Sequence, residues 1–312
     1  MPHVSIIIPN FNGAEHLDIC LNSISSQIFT DYEIIVVDNG SSDHSIPLLQ
    51  SRQQKIIVFP LSENKGFAAA VNYGIQRSNG SLIALLNNDI ELEAQWLRSM
   101  VNAIESDNML GSIACKMLNY YDRTVIDAAG DILTRAGNII GRGYGDKDSA
   151  KYDKIEYVFG ACAGAGLYRK EVFETVGYFD EDYFAWFEDA DHHFRSQLAG
   201  YKSLYVPAAR CFHKRGATAK KMSELAVRLH ARNHLYYLII NIPSRIFWTN
   251  IIFIVFSRLK NWAAIIRDGD SKALIWAWWM VIKKLPVLLA KRRRIQSSRK
   301  VSLTYIRKMI IQ

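Results

Sequence analysis

Three acidic side chains lie within four residues of one another in the segment FAWFEDADHHFR, with aromatic residues on both sides. If the segment is helical, Glu188 and Asp191 share one face, whereas Asp189 and Asp191 point about 200° apart. Aromatic neighbours raise the pKa of an acid by excluding water, and a raised pKa suits a general base. The segment therefore predicts an acid that takes a proton during a reaction. The alternative is a solvated helix N-terminus, where the helix dipole favours acids.

Polar side chains also follow two apolar runs that have the length of strands. Asp38 comes directly after EIIVV, and Asn87, Asn88 and Asp89 come directly after LIALL. A carboxylate at Asp38 can accept hydrogen bonds from the base or ribose of a nucleotide, although it could equally cap the next helix. Asp89 offers a hard oxygen ligand to a divalent cation, which would neutralise a diphosphate. A simple Asn-Asp turn is the alternative for this second cluster.

Histidines, cysteines and glycines narrow the chemistry further. His213 follows another strand-like run and could ligate a metal, although a single histidine is more often structural. His192 and His193 are predicted to be exposed helix residues that bind no ligand. The four cysteines form no C-x-x-C pair, which argues against a zinc site or a disulfide framework and favours a reducing compartment. The sequence contains no glycine-rich dinucleotide or P-loop motif, so a dehydrogenase or P-loop NTPase is not expected.

The elements that would position these residues are short apolar runs that alternate with helical patterns. The strand-like runs are Val4–Ile8, Glu33–Val37, Ile56–Phe59 and Leu82–Leu86, and helical spacing is found at 14–28 and 66–77. Strands that are apolar throughout and alternate with helices predict an α/β fold with a mainly parallel sheet. In such sheets ligands bind beyond the carboxyl ends of the strands, where Asp38 and Asp89 would lie.

Charge is distributed unevenly along the 312 residues. Residues 1–199 contain 15 Lys and Arg against 27 Asp and Glu, whereas residues 200–312 contain 23 against 3, and the net charge is +8. Beyond about residue 223, aromatic, aliphatic and basic residues dominate. We therefore predict two regions, a domain at 1–220 and a basic, Trp-rich helical region at 221–312.

The basic region matches a membrane surface better than it matches a nucleic acid. Residues 235–256 are long enough to span a bilayer, but Asn241, Pro243 and Arg245 interrupt the apolar run. The later segment KALIWAWWMVIKKLPVLLAKRRR combines tryptophans with flanking basic residues, which favour the headgroup level of an anionic membrane. We predict helices that lie on the membrane. The alternatives are a buried helical subdomain and a surface for a second copy of the chain.

Six segments, in this order, resemble one enzyme family. They are SIIIPNFNG (5–13), IIVVDNGSSDHS (34–45), NKGFAAAVNYGI (64–75), LLNND (85–89), GACAGAGLYRKEVFETVGYFDEDYFAWFEDADHHFR (160–195) and AGYKSLYVPAARCFH (199–213). They cover most of residues 1–215 and resemble the family 2 glycosyltransferases, in particular the rhamnosyltransferase-like branch. The resemblance implies a GT-A fold, in which a nucleotide-binding, mainly parallel sheet continues into an acceptor-binding half.

The resemblance also implies roles for individual residues. The residues that it assigns to the nucleotide are Pro9, Phe11, Asp38, Asn64, Gly66 and Asn88. Asp89 and His213 would bind Mn²⁺ or Mg²⁺, a choice that their mixed oxygen and nitrogen ligands leave open. Asn87 replaces the first acid of the family's D-x-D position, which is a departure from its pattern. Glu188 and Asp189 match the family's catalytic acid pair, with Asp189 as the base.

The resemblance thus implies an inverting, metal-dependent glycosyltransferase. It would use a nucleotide-sugar donor, with rhamnose as a candidate sugar, and a lipid-linked or cell-surface glycan as acceptor. The first residues lack the pattern of a signal peptide, so we expect a peripheral protein on the cytosolic face of a membrane. The missing acid at Asn87 motivates an alternative, a catalytically silent protein of this fold that acts as a scaffold in a membrane glycan-assembly complex.

Overall fold

The computed structural model describes residues 1–214 and 223–311, so the predicted domain boundary at residue 220 lies outside the described residues. The strands are β1 Val4–Asn10, β2 Tyr32–Asp38, β3 Ile56–Pro60, β4 Leu82–Leu86, β5 Ile90–Leu92, β6 Leu110–Asn119, β7 Ile126–Ala129, β8 Asp131–Thr134, β9 Ile139–Gly141, β10 Glu156–Val158, β11 Ala165–Arg169, β12 Lys202–His213 and β13 Ile310–Ile311. The helices are α1 Ala14–Ser25, α2 Ser45–Ser51, α3 Phe67–Gln76, α4 Trp96–Glu105, α5 Lys170–Val176, α6 Glu188–Ala199, α7 Ser223–Asn241, α8 Ser244–Thr249, α9 Ile251–Arg267, α10 Ser271–Ser297 and α11 Leu303–Met309.

The main sheet is mixed, with the strand order β10-β12-β6-β11-β4-β1-β2-β3. β1 pairs in parallel with β2 and β4, and β2 pairs in parallel with β3. β11 runs antiparallel between β4 and β6, while β6 and β12 are again parallel. The carboxyl ends of β1, β2 and β4 therefore meet at one edge of the sheet. The predicted α/β fold, with a mainly parallel central sheet flanked by helices, is confirmed.

The central strands are buried because both of their faces are apolar. Ile6 and Ile8 pack with Leu17 of α1 in one buried cluster, whereas Ile7 packs with Val71 of α3 in another. Successive side chains of a strand point to opposite faces, so an unbroken apolar run needs a helix layer on each side. Each fully buried aliphatic side chain contributes about 1.5–3 kcal/mol, which makes this half of the molecule a rigid support for the loops at its edge.

The C-terminal helices are built onto the domain instead of forming a separate body. Phe194 of α6 and Tyr237 of α7 belong to one buried cluster, with their rings 6.1 Å apart. Asn241 Nδ2 of α7 donates a hydrogen bond to Asp191 of α6 at 2.7 Å. β13 pairs in parallel with β8, which joins it to β9 in a small second sheet. The predicted helical extension is present, and its first helix is part of the core.

The outer sides of α8, α9 and α10 expose many apolar side chains, here called the outer apolar face. Its residues are Trp248, Ile252, Phe253, Val255, Phe256, Leu259, Ile266, Ile275, Trp278, Trp279, Ile282, Leu285, Val287 and Leu289. The most exposed, Ile252, has 78% of its surface in solvent. Within the described parts of the chain, one helix, α10, is long and apolar enough to cross a membrane by length and composition alone. Its buried residues, among them Val281 and Leu288, join the same cluster as α7.

Candidate active site

A cleft of about 660 Å³ opens at the carboxyl edge of the central strands. The predicted site residues that line it are Pro9, Phe11, Asn64, Gly66, Asn88, Asp89, Glu188, Asp189 and His213. They come from the ends of β1, β4 and β12, the loop before α3 and the start of α6. The structure thus brings residues that are far apart in the sequence into one hollow. Asp38 is the exception, because it lies behind the cleft wall.

Asp38 acts on the cleft through Asn10, a residue that the sequence did not single out. Its carboxylate is only 2% exposed and accepts hydrogen bonds from Asn10 Nδ2 at 2.8 Å and from the Ser41 amide at 3.0 Å. The oxygen of the Asn10 side chain in turn accepts a hydrogen bond from Asn88 Nδ2 at 2.7 Å. Asp38 thereby fixes the orientation of two amide groups, the second of which faces the cleft. Its predicted contact with a base or ribose stays a prediction.

The loop before α3 is organised by side-chain amides and a glycine. Asn64 Oδ1 accepts hydrogen bonds from the Gly66 amide and from Asn39 Nδ2, both at 2.9 Å. Gly66 has a φ of +91°, and a Cβ at this position would lie 2.5 Å from the carbonyl oxygen of Phe184. Only glycine combines this conformation with so close an approach. The loop therefore lies directly against the segment that leads to the acid pair.

His213 lies between two carboxylates at the far end of β12. Its Nδ1 is 2.7 Å from Asp127 Oδ2, and its Nε2 is 3.4 Å from Asp89 Oδ1. Burial lowers the pKa of His213, but hydrogen bonds and charge attraction from Asp127 and Asp89 outweigh burial and raise the pKa to about 9. For Asp89, burial alone would raise the pKa. The contact with His213 outweighs the effect of burial, so the pKa is lowered. A charged imidazole therefore stabilises both buried carboxylates.

The same residues fit a divalent cation. When Nδ1–H donates to Asp127, the lone pair of Nε2 is free to act as a ligand on the side of Asp89, and the second carboxylate orients the ring. Metal binding there requires neutral His213, so it would release the Nε2 proton. In residues 1–214 and 223–311 no group of three or more His, Cys, Asp or Glu could hold a metal ion. Asp89 and His213 thus offer two ligands, and phosphate oxygens and water would complete the set.

Glu188 and Asp189 open α6 at the wall of the cleft. Asp189 accepts hydrogen bonds from the Ala190 amide at 2.7 Å and from the Ala163 amide at 3.4 Å. Glu188 is 5% exposed, and its Oε2 has no hydrogen-bond partner among the described residues. Burial, and then the charge of Asp189, raise the pKa of Glu188 well above its usual value. Burial therefore favours the neutral form of Glu188, and Asp189 is the more exposed of the two acids.

Asp131, the first residue of β8, is a cleft residue that no motif or spacing indicated. Burial, and then the charge of Asp189, raise the pKa of Asp131 well above its usual value. His193 Nδ1 is 3.7 Å from Asp131 Oδ2.

The prediction that His192 and His193 are exposed is wrong, because α6 is covered on both sides. The His192 ring stacks on Phe173 at 4.5 Å.

The residues directly before the acid pair, 183–187, form what we call the aromatic loop. Phe184, Trp186 and Phe187 have φ values of 67°, 64° and 74°, in the left-handed region that bulky residues avoid. Each such residue costs about 1–3 kcal/mol and persists only when its surroundings hold it in place. The Trp186 ring lies 5.0 Å from the ring of His230 on α7, and both residues line the cleft. The C-terminal helical region therefore forms part of the cleft wall.

The mixed, mainly parallel sheet with polar clusters at its carboxyl edge has the GT-A fold that the motifs predicted. Residues 5–177, more than half of the chain, match the family model described as glycosyl transferase family 2. The chain therefore belongs to this family, as its motifs predicted. The rhamnosyltransferase-like branch stays a prediction.

Individual relatives match over parts of their length. Glycosyltransferase AglE of Haloferax volcanii is 37% identical over 109 residues, which cover 33% of this chain and 36% of that protein. The crystal structure of GalNAc-T7 with UDP, GalNAc and Mn²⁺ has a TM-score of 0.61 at 15% identity, over 77% of this chain and 48% of that one. Mannosyltransferase PcManGT from Pyrobaculum calidifontis, in complex with GDP-Man and Mn²⁺, has a TM-score of 0.56 at 16% identity. The match covers 95% of this chain and 86% of that one. These structural similarities establish the fold.

Proposed function

We propose that the protein is an inverting, metal-dependent glycosyltransferase that moves a sugar from a nucleotide-sugar donor to an acceptor hydroxyl. The observation that carries the proposal is that the pair Asp89 and His213 and the pair Glu188 and Asp189 line one cleft. The first pair is suited to bind a cation that also contacts a diphosphate, and the second is suited to accept the proton of an acceptor hydroxyl. The two structural neighbours hold UDP or GDP-Man together with Mn²⁺, which supports this donor class and cofactor.

In this mechanism each pair has a separate task. Asp89 and His213 would hold Mn²⁺ or Mg²⁺, which when bound supplies positive charge to the departing diphosphate. Asp189 accepts the proton of the acceptor hydroxyl while the oxygen of that hydroxyl forms a bond to the anomeric carbon. The bond to the diphosphate breaks on the opposite face of that carbon, so the configuration inverts. Burial raises the pKa of Glu188, which disfavours a second negative charge beside the base.

We assign the donor nucleotide to the wall on the side of β1 and β4. The residues on this wall are Pro9, Phe11, Asn64, Gly66 and Asn88. Asp38 supports them from behind through Asn10, whose amide contacts Asn88. The motif resemblance makes rhamnose the first sugar to test. Sugar choice depends on a few pocket contacts, so a panel of donors is needed.

We further propose that the acceptor is a lipid-linked or cell-surface glycan precursor, met at the cytosolic face of an anionic membrane. The outer apolar face provides the contact area, and exposed basic side chains lie on two of the same helices, α9 and α10. They include Lys260, Arg267, Lys272, Lys283, Arg293 and Arg294. Each Lys or Arg near an anionic leaflet contributes about 1 kcal/mol to binding. Because one side of α10 packs on α7, we assign α10 to the membrane surface and not to a span.

A donor screen tests the catalytic proposal. Nucleotide sugars with different bases and sugars are incubated with the protein and Mn²⁺ or Mg²⁺, and release of the nucleoside diphosphate is measured. We expect turnover with one donor class, lost on chelation and reduced about 10²–10⁴-fold in Asp189→Asn. Asp89→Ala should lose metal-dependent turnover as well. Asp122→Asn, in an exposed turn outside the cleft, is the matched control. Absence of binding and turnover with every donor would support the silent scaffold that Asn87 suggests.

Vesicle sedimentation tests the membrane proposal. Deleting the whole helical region is unsuitable, because α7 forms part of the core. Instead, Ile252→Ser, Phe256→Ser and Ile282→Ser are combined, since all three side chains are at least 68% exposed. We expect the wild type to sediment with vesicles containing phosphatidylglycerol, and the triple variant to stay in the supernatant. Ile155→Ser, on an exposed site of the catalytic domain, is the control. If the protein forms concentration-dependent dimers and does not bind vesicles, the outer apolar face binds a second copy of the chain instead.

A further inference from the structure

The aromatic loop must be held by contacts from other parts of the molecule. Phe184, Trp186 and Phe187 have positive φ, a conformation that non-glycine residues keep only under support from their surroundings. Glu188 and Asp189 follow the loop without any intervening residue. The contacts that fix the loop therefore also determine where the acid pair lies in the cleft.

Asn233 on α7 makes several of these contacts. Its side chain is fully buried, and its Nδ2 donates to the carbonyl oxygens of Tyr183, Ala185 and Trp186, each at 2.8 Å. An amide has two N–H groups, so one of them is shared between two of the three carbonyls. Asn233 Oδ1 accepts a hydrogen bond from Arg232 Nε at 2.8 Å. Only one orientation of the amide satisfies all four contacts, which fixes its donor and acceptor ends.

The start of the loop is tied to the same helical region. Arg232 Nη2 donates to the carbonyl oxygens of Asp182 and Tyr183, at 2.9 and 3.0 Å. Lys291 of α10 pairs with Asp180 at 2.6 Å and with Asp182 at 2.7 Å. Both helices lie beyond residue 177, where the family match ends. The acid pair and the helices that support it therefore all lie outside the matched segment.

We propose that Asn233 is a positioning residue for Asp189 and acts through the aromatic loop. The catalytic part of this inference rests on the proposed function. Asn233 does not line the cleft, and its hydrogen bonds go to loop carbonyls and to Arg232. Any effect of Asn233 on the reaction must therefore pass through the loop. The helical region then belongs to the catalytic machinery in addition to any contact with a membrane.

Hydrogen–deuterium exchange of the full-length protein tests the support without any substrate. Asn233→Asp keeps the shape and the acceptor that faces Arg232, but it offers no N–H to the three carbonyls. We expect exchange in peptides covering 181–189 to become about tenfold faster, with peptides from β1 to β4 unchanged. Asn250→Asp is the matched control, because Asn250 Nδ2 donates at 2.9 Å to a carbonyl of its own helical region. Unchanged exchange in 181–189 would overturn the proposal.

Asn233→Ser covers the case in which the buried charge of Asn233→Asp prevents folding. Serine removes the amide donors and introduces no charge, so the same local acceleration is expected. Acceleration that is equally large in the peptides of the central sheet would mean general destabilisation. That result would also contradict the proposal, since the proposal requires an effect confined to the loop and the start of α6.

Turnover and nucleotide binding separate positioning from stability. Both are measured for the wild type and for Asn233→Ser, with Mn²⁺ and the nucleotide sugar found in the donor screen. We expect kcat to fall by about tenfold or more, while the Kd of the nucleoside diphosphate stays within about twofold. The Kd should change less than kcat because Asn88 and Asp89 are held by the central strands and not by the aromatic loop. Equal losses, or an unchanged kcat, would refute a positioning role. If the wild type turns over no donor, the proposed function fails, and the exchange experiment still decides whether Asn233 holds the loop.

Discussion

Replacing Asp127 by asparagine tests the metal site through a residue that would not touch the metal. Asp127 Oδ2 lies 2.7 Å from Nδ1 of His213 and is the group that sets the tautomer of the imidazole. In Asp127→Asn the His213 ring loses the negatively charged neighbour that makes the ring a better metal ligand. If the amide NH₂ turns toward Nδ1, the ring proton moves to Nε2 and blocks the lone pair that faces Asp89.

The loss of such a partner lowers metal affinity by about 10–100-fold, or about 1.4–2.7 kcal/mol. We expect the upper part of this range, because both effects act in the same direction. Electron paramagnetic resonance of free Mn²⁺ gives the affinity directly, with a bound nucleoside diphosphate present. Asp148→Asn is the control, since Asp148 is bonded to Lys116 at 2.9 Å outside the cleft. An affinity for Mn²⁺ within about twofold of the wild type would refute our assignment of His213 as a ligand.

Three further substitutions have clear expected outcomes. Burial holds the pKa of Glu188 in the folded protein above its ordinary 4.5, so the wild type loses stability as the pH rises above 4.5. The difference in Tm between Glu188→Gln and the wild type should therefore grow as the pH rises from that value, and a difference that does not change with pH would contradict burial of the carboxyl group. Gly66→Ala places a Cβ 2.5 Å from the carbonyl oxygen of Phe184 at a φ of +91°, so denaturant unfolding should show a loss of more than about 1 kcal/mol. Asn10→Ala leaves buried Asp38 without one donor, at a cost of about 1–3 kcal/mol, and calorimetry should show weaker nucleoside diphosphate binding; unaltered binding would mean that Asn88 needs no such support.

The elements at the start of the chain could be predicted from sequence because their signals are local. β4 has the predicted bounds, and β1 and β2 extend the predicted runs by one or two residues. In each case an apolar run of strand length ends at turn-forming residues, and no distant contact is needed to recognise it. The motifs also predicted which residues would share the cleft, with Asp38 displaced behind its wall.

The residues that sequence reasoning missed depend on distant contacts. Asp131 becomes a cleft residue because β8 crosses beside α6, and nothing in its own neighbourhood marks that position. Asn233 and His230 lie in a stretch whose composition suggests a membrane surface, yet Asn233 binds the aromatic loop and His230 lines the cleft. His192 and His193 follow three acidic residues in a polar segment, which predicts exposure. Here elements that are distant in the sequence enclose α6, and the local pattern does not show this.

The pairing of β13 with β8 has a consequence for the order in which the protein matures. β8 lies near the middle of the sequence and β13 near residue 310, and contacts between distant segments form late because closing a long loop costs entropy. A ribosome would deliver the complete family-matching segment well before α7 and β13 have emerged. We expect such a nascent chain to form the cleft wall of β1 and β4 before the wall that carries Glu188 and Asp189, so that the cleft is completed last.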